Sequence, residues 1–230
     1  MNQPFQTADH GYALPSQAER NRVLRNTYAL LALSMVPTVL GAWLGVATGI
    51  TAALSGAVGL VVFLGGAFGF MFAIEKTKNS AAGVPVLLGF TFFMGLMLSR
   101  LLAMVLGMKN GTDLVMTAFG GTAGIFALMA GLSGVIKRDL SSLGKWLTVG
   151  ALVLMVGAII NVFVASSTGM VVISMLAVGI FSAFILYDLK RIIDGGETNY
   201  ISATLGIYLS VFNVFQSLLS LLGIFGGERE

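Results

Sequence analysis

Seven long apolar runs, separated by short polar breaks, account for most of the chain. They cover about 27–48, 52–74, 83–107, 113–135, 145–166, 169–192 and 201–224, each near the roughly 20 residues that a helix needs to cross the hydrocarbon core of a bilayer. The pattern predicts an all-α fold, a polytopic bundle of seven transmembrane helices over residues 27–225 with no inserted soluble domain. Residues 1–26 are polar and read as a flexible cytosolic tail, with Glu19–Arg25 as a short helical run leading into the membrane. Residues 226–230 form a short tail at the other end.

The seventh run differs from the others. Ala203, Gly206, Ser210, Asn213, Ser217 and Ser220 recur at steps of three and four, so one whole stripe of the helix is small or polar. Acyl chains cannot satisfy hydroxyls and an amide, so this stripe faces protein and the seventh helix packs deep in the bundle. Ser210 and Asn213 then point toward the interior, either as hydrogen-bonding glue or as the lining of a polar pathway.

Composition agrees with a membrane protein. At 57% hydrophobic and 10% charged residues, with a mean hydropathy of +0.93, too few charges are present to cover a soluble surface. The first 26 residues lack the apolar core of a cleavable signal peptide. No cysteine is present, which removes disulfides, thiolate metal sites and cysteine nucleophiles. His10, the only histidine, lies in the polar tail without partners for a metal.

Charge sets an orientation. Arg20, Arg22, Arg25, Lys76, Lys78, Lys137, Arg138, Lys145, Lys190 and Arg191 fall on one side of the seven-span scheme, whereas Lys109 and Arg229 fall on the other. The positive-inside rule places the first side, with the N-terminus, in the cytosol and the C-terminus outside. Basic residues spread over several loops in this way do not form a nucleic-acid surface.

Several positions inside the spans carry marks. Pro37 removes a backbone donor from the first helix and should kink it. Trp43 and Trp146 lie near span ends, as interfacial aromatic belts do. Gly41/Gly45, Gly65/Gly69 and Gly120/Gly124 are spaced four apart, which allows helix backbones to approach. After the sixth span, Gly195 and Gly196 stop the helix, Glu197 follows, and Thr198 or Asn199 caps the seventh.

Two charges lie well inside spans, away from their ends. Asp188 sits about 8 Å from the cytosolic end of the sixth, and Arg100 about 10 Å from the opposite end of the third. A carboxylate or guanidinium in that position is paired, functional or snorkelling. The different depths argue against a direct pair, and Asn161 is a possible polar neighbour of Arg100.

Catalysis is not expected. Gly131-Leu132-Ser133-Gly134 has the form of the rhomboid protease nucleophile motif, but no later histidine supplies a base. Tyr187-Asp188 resembles the first motif of intramembrane aspartyl proteases. The other aspartates, Asp113 and Asp139, fall in loops and leave the dyad incomplete. No cofactor or metal motif is present.

Longer motifs carry a family resemblance over about residues 25–225. Tyr187-Asp188, the turn Gly195-Gly196-Glu197-Thr198-Asn199-Tyr200, then Tyr208-Leu209-Ser210, Asn213, Phe215 and Ser217-Leu218-Leu219 resemble the C-terminal signature of the Bax inhibitor-1/YccA family. Thr117-Ala118-Phe119-Gly120-Gly121-Thr122-Ala123 and Lys137-Arg138-Asp139-Leu140 are similar to its fourth-span motif and following loop. The Gly-Gly-Glu-Thr-Asn-Tyr turn points to the bacterial YccA-like branch.

The resemblance implies a seven-helix fold with the last helix surrounded by the other six, in a bacterial inner membrane. It implies two functions. YccA-like proteins are associated with modulating FtsH, a membrane-anchored AAA protease that pulls on exposed cytosolic tails, and residues 1–26 would be the handle. Other members are similar to pH-sensitive calcium leak channels whose sixth-helix aspartate pairs with one on the seventh. Asp188 matches the first position, but Ser210 occupies the second, so that pair is incomplete. Arg100 stands near a point where the family leads one to expect proline.

Overall fold

A computed structural model describes residues 15–52, 54 and 56–227. Seven helices follow one another: α1 (Gln17–Thr48), α2 (Gly56–Thr77), α3 (Gly83–Leu106), α4 (Gly111–Val135), α5 (Ser141–Val164), α6 (Ser167–Ile193) and α7 (Tyr200–Phe225). All seven are long and apolar enough to span a membrane. The expected spans match these ranges to within four residues at every end except the start of α1, and two of the differences are informative.

The first difference is at α1, which begins ten residues before the expected span. Ser16 and Glu19 form a reciprocal capping box, the Ser16 hydroxyl accepting from the Glu19 N–H at 3.3 Å and the Ser16 N–H donating to Glu19 Oε2 at 2.8 Å. Residues 17–26 of the expected tail are thus the first turns of α1, which continues unbroken through Pro37. Residues 1–14, including His10, lie outside the described residues. The second difference is at α2, which starts at Gly56. Gly49 ends α1 in the left-handed conformation, and a turn follows in which Thr51 Oγ1 meets Ser99 Oγ of α3 at 2.7 Å.

Helix α7 is the core. It packs against α1, α2, α3, α4 and α6, while α5 reaches the bundle through α2 and α6 and makes no close backbone approach to α7. Five neighbours rather than six therefore surround it. Between Tyr200 and Gly223 only Gln216 is exposed on α7. Ile207, Val214 and Leu219 are fully buried, as are Leu87, Phe90 and Ile185 facing them from α3 and α6. The expected small-residue stripe is inside, with Ala203, Ser210 and Ser217 all buried. The least buried helices are α2 and α5, where Val61, Phe72, Val153 and Phe163 are exposed. Trp43 and Trp146 are exposed as belt residues should be.

The tightest helix pair is α1 with α3. A Cβ at Gly41 would lie 2.1 Å from the Phe92 carbonyl oxygen, and one at Gly95 would lie 2.0 Å from that of Thr38. Gly45 is equally close to the Ser99 side chain. The Gly41/Gly45 pair is thus a helix seam, completed from the other side by Gly95. The other two glycine pairs are not seams, since a Cβ at Gly65, Gly69, Gly120 or Gly124 would meet nothing within 4 Å.

Candidate functional site

The end of the bundle that carries the N-terminus gathers the α6–α7 turn, the α2–α3 turn and the root of α1. Helix α6 ends at Ile193 with Asp194 as its C-cap, after which Gly195 takes φ +83°, the left-handed region that suits glycine. The Gly195 N–H donates to Ile192 O at 3.0 Å and that of Gly196 to Arg191 O at 2.8 Å. Glu197 Oε1 then accepts from the N–H groups of Thr198 and Asn199 at 3.0 and 2.9 Å, and its other oxygen faces Arg191 at 3.4 Å. Asn199, rather than Thr198, caps α7, its Oδ1 accepting from Ile201 N at 2.9 Å and Ser202 N at 3.0 Å. All four expected turn residues, Gly195, Gly196, Glu197 and Asn199, act together.

Asn199 has a second task. Its Nδ2 donates to Lys78 O at 3.1 Å and Asn79 Oδ1 at 2.8 Å, which ties the α6–α7 turn to the α2–α3 turn. On the other flank, Arg20 Nη1 donates to the Ile193 carbonyl at 3.1 Å. Pro15 and the Arg20 stem lie against Gly195, where a Cβ would come within 3.2 Å of each. The α1 root is therefore latched to the C-terminal end of α6.

Lys190 and Arg191, both on the basic side of the expected topology, behave differently from one another. Lys190 is buried and ion-paired with Asp194, whereas Arg191 is half exposed and serves the turn. Asp139 stays in the α4–α5 loop, where the N–H and hydroxyl of Ser141 hold its carboxyl below the usual carboxylate range. Asp113 belongs to the first turn of α4 rather than to a loop.

Asp188 lies one helical turn and a half inside this end, half-buried between α6 and α7. A Cβ on Gly206 would stand 3.2 Å from its Oδ2, so the glycine in the α7 stripe makes room for the carboxylate. No side chain or backbone group among the described residues donates a hydrogen bond to it. Ser210 does not supply one: its hydroxyl donates to Gly206 O at 3.1 Å, within α7. Asn213 likewise donates to Leu209 O at 2.8 Å. Both residues face inward as expected, yet their side chains serve their own helix and donate nothing to Asp188. Next to it, Tyr187 covers Gly144 of α5, where a Cβ would collide with the ring at 2.4 Å.

The contacts of two further residues were not foreseen from the sequence. Tyr208, fully buried, meets Thr38 Oγ1 of α1 at 2.9 Å and donates to Thr91 O of α3 at 3.4 Å, so α7 is pinned to both partners of the glycine seam. Thr204 donates to Tyr200 O at 2.7 Å beside Thr27 of α1. A threonine or tyrosine in an apolar run carries no mark of which distant helix it will face. Arg100, at the far end, is exposed and donates to Leu54 O at 3.1 Å. Asn161 is not its neighbour. It sits in a separate cleft against Gly169, where a Cβ would be 2.5 Å from its Oδ1.

Known proteins are similar to this chain in sequence over almost its whole length. A family model described as "Inhibitor of apoptosis-promoting Bax1" matches residues 20–227. An uncharacterized membrane protein of Vibrio cholerae is 38% identical over 97% of this chain and 98% of its own. The Escherichia coli K12 protein named "Modulator of FtsH protease YccA" is 37% identical over 88% of this chain and 90% of its own. An uncharacterized protein of Campylobacter jejuni is 30% identical over 96% and 98%. The chain, with its buried seventh helix, belongs to the Bax inhibitor-1 family.

Proposed function

We propose that this chain is a non-enzymatic inner-membrane modulator of an FtsH-type AAA protease, engaged through its N-terminal segment and resistant to extraction. The relative named as such a modulator is matched over nine-tenths of its length, so the bundle is the common part. The orientation is taken from the basic residues crowded at the end that carries the N-terminus, which favours that end in the cytosol and the C-terminus outside.

One observation carries the reading: the root of α1 is latched to the C-terminal end of α6 by Arg20 and Pro15. A protease pulling on the N-terminus must first break this latch, then part the α1–α3 seam and the Tyr208 contacts behind it. The substrate is gripped easily and extracted slowly, which occupies the enzyme. Deleting residues 2–14 tests this, because it removes the handle and spares the latch. Co-purification with the protease should be lost. Unchanged binding and an unchanged degradation rate would rule out the tail as the point of engagement.

A second reading, a cation leak of which calcium would be the ion, rests on Asp188, an inward carboxylate with no hydrogen-bond donor among the described residues. A carboxylate so placed inside a bundle is costly unless it is used. Flux of calcium into liposomes, compared between wild type and Asp188→Asn, tests it; equal flux would remove it.

A further inference from the structure

At the end of the bundle away from the N-terminus, a cavity of about 440 Å³ opens between α2, α3, α5 and α7. Its walls are more apolar than polar, with Leu60, Phe63, Met97, Leu101 and Phe212 among them, and its polar side chains are Thr51, Arg100 and Gln216, of which Thr51 is buried and bonded to Ser99. Arg100 and Gln216 are exposed, and Gln216 is the exception on a helix otherwise shielded from Tyr200 to Gly223. No carboxylate lines the cavity and no acidic group pairs with Arg100 among the described residues. Of the five N–H donors of a guanidinium, one is held by Leu54 O, which fixes the group without neutralising it.

Depth adds to this. Arg100 lies six residues before the end of α3, about 9 Å along the axis, and a snorkelling side chain brings its charge to the boundary between acyl chains and headgroups. An unneutralised guanidinium at that level, above an apolar cleft, matches a ligand with a phosphate at one end and hydrocarbon at the other.

We propose that this cavity binds an anionic phospholipid of the adjacent leaflet. Its phosphodiester sits on Arg100, Gln216 donates to an ester or glycerol oxygen, and the upper part of one acyl chain lies between Phe63, Met97, Leu101 and Phe212. A free phosphate would use the guanidinium but leave the apolar walls unfilled. The lipid uses both.

Full-length protein in detergent is titrated with phosphatidylglycerol, phosphatidylcholine or inorganic phosphate, with bound lipid counted by native mass spectrometry and thermal stability followed in parallel. Phosphatidylglycerol should be retained in preference to phosphatidylcholine and should raise the melting temperature, while inorganic phosphate should do neither. Arg100→Gln should weaken phosphatidylglycerol retention about tenfold, the scale of one charge-assisted phosphate contact. Met97→Trp, which fills the cleft and keeps the charge, should weaken it as well and serves if Arg100→Gln does not fold. The proposal is overturned if Arg100→Gln or Met97→Trp retains as much phosphatidylglycerol as wild type. It is overturned equally if phosphatidylcholine binds as well, or if inorganic phosphate stabilises the protein as much as the lipid does.

Discussion

Asp188 and Gly206 face each other across the α6–α7 contact so closely that a Cβ on the glycine would stand 3.2 Å from the carboxylate oxygen. The charge is accommodated by removing a side chain opposite it. Half-buried and without a hydrogen-bond donor among the described residues, the carboxylate costs stability. Asp188→Asn keeps the shape and removes the charge, so it should leave the melting temperature in nanodiscs unchanged or raise it by a few degrees. A clear fall in melting temperature would mean that the charged form is stabilised by a contact other than those described.

The glycine positions separate into two kinds that can be tested as a series. Alanine at Gly41 or Gly95 drives a methyl group into a backbone carbonyl of the facing helix. Backbone cannot swing aside as a side chain tip can, so each change should cost at least about 3 kcal/mol, at the upper end of overpacking. Alanine at Gly65 or Gly120 enters open space and should change stability by no more than about 0.5 kcal/mol. Thermal unfolding of the purified variants reads both, and equal effects in the two groups would show that the α1–α3 seam is looser than described.

Those glycines also mark where the sequence stops being informative. The spans were legible because length and hydropathy are local properties, and the depth of α7 was legible because polar atoms cannot face lipid. Spacing of four made Gly41/Gly45, Gly65/Gly69 and Gly120/Gly124 look alike, yet only the first pair meets another helix. Which glycine is used depends on what comes to face it, here Phe92 and Ser99 from a helix fifty residues away. The turn residues were readable for the same local reason as the spans, since caps and left-handed glycines act within a few residues. The Arg20 latch and the Thr38–Tyr208 contact join positions about 170 residues apart, and no pattern in one run indicates its partner in another.

Asn199 combines a local and a distant role, and substitutions can separate them. Asn199→Asp keeps the acceptor that caps α7 but loses the amide that donates to Lys78 O and Asn79 Oδ1. Asn199→Ala loses both. The alanine variant should lose about 1 kcal/mol more than the aspartate variant, the usual worth of a helix N-cap. Chemical denaturation in mixed micelles measures the difference. If the two variants were equally stable, the cap would contribute nothing and the tie to the α2–α3 turn would account for the whole effect.

Arg20 offers the sharpest test of resistance to extraction, because its guanidinium is the hydrogen-bonded part of the latch between the α1 root and the end of α6. The Ile193 carbonyl it meets lies where the α6 backbone runs out of intrahelical donors, and a cation there also opposes the negative end of the helix dipole. Arg20→Ala should therefore cost roughly 1.5 kcal/mol, the worth of a hydrogen bond from a charged group. Most of that cost should fall on the first step of unfolding from the N-terminus. The 14 residues before the latch are unchanged in this variant, so binding to the protease should persist while degradation accelerates about tenfold, the rate equivalent of that energy. Arg20→Lys retains the positive charge without the planar fork and should fall between the two. Degradation half-lives with purified protease in proteoliposomes decide the matter. If Arg20→Ala is degraded no faster than wild type, the slow step lies beyond the latch, in the α1–α3 seam that Gly41 and Gly95 hold together.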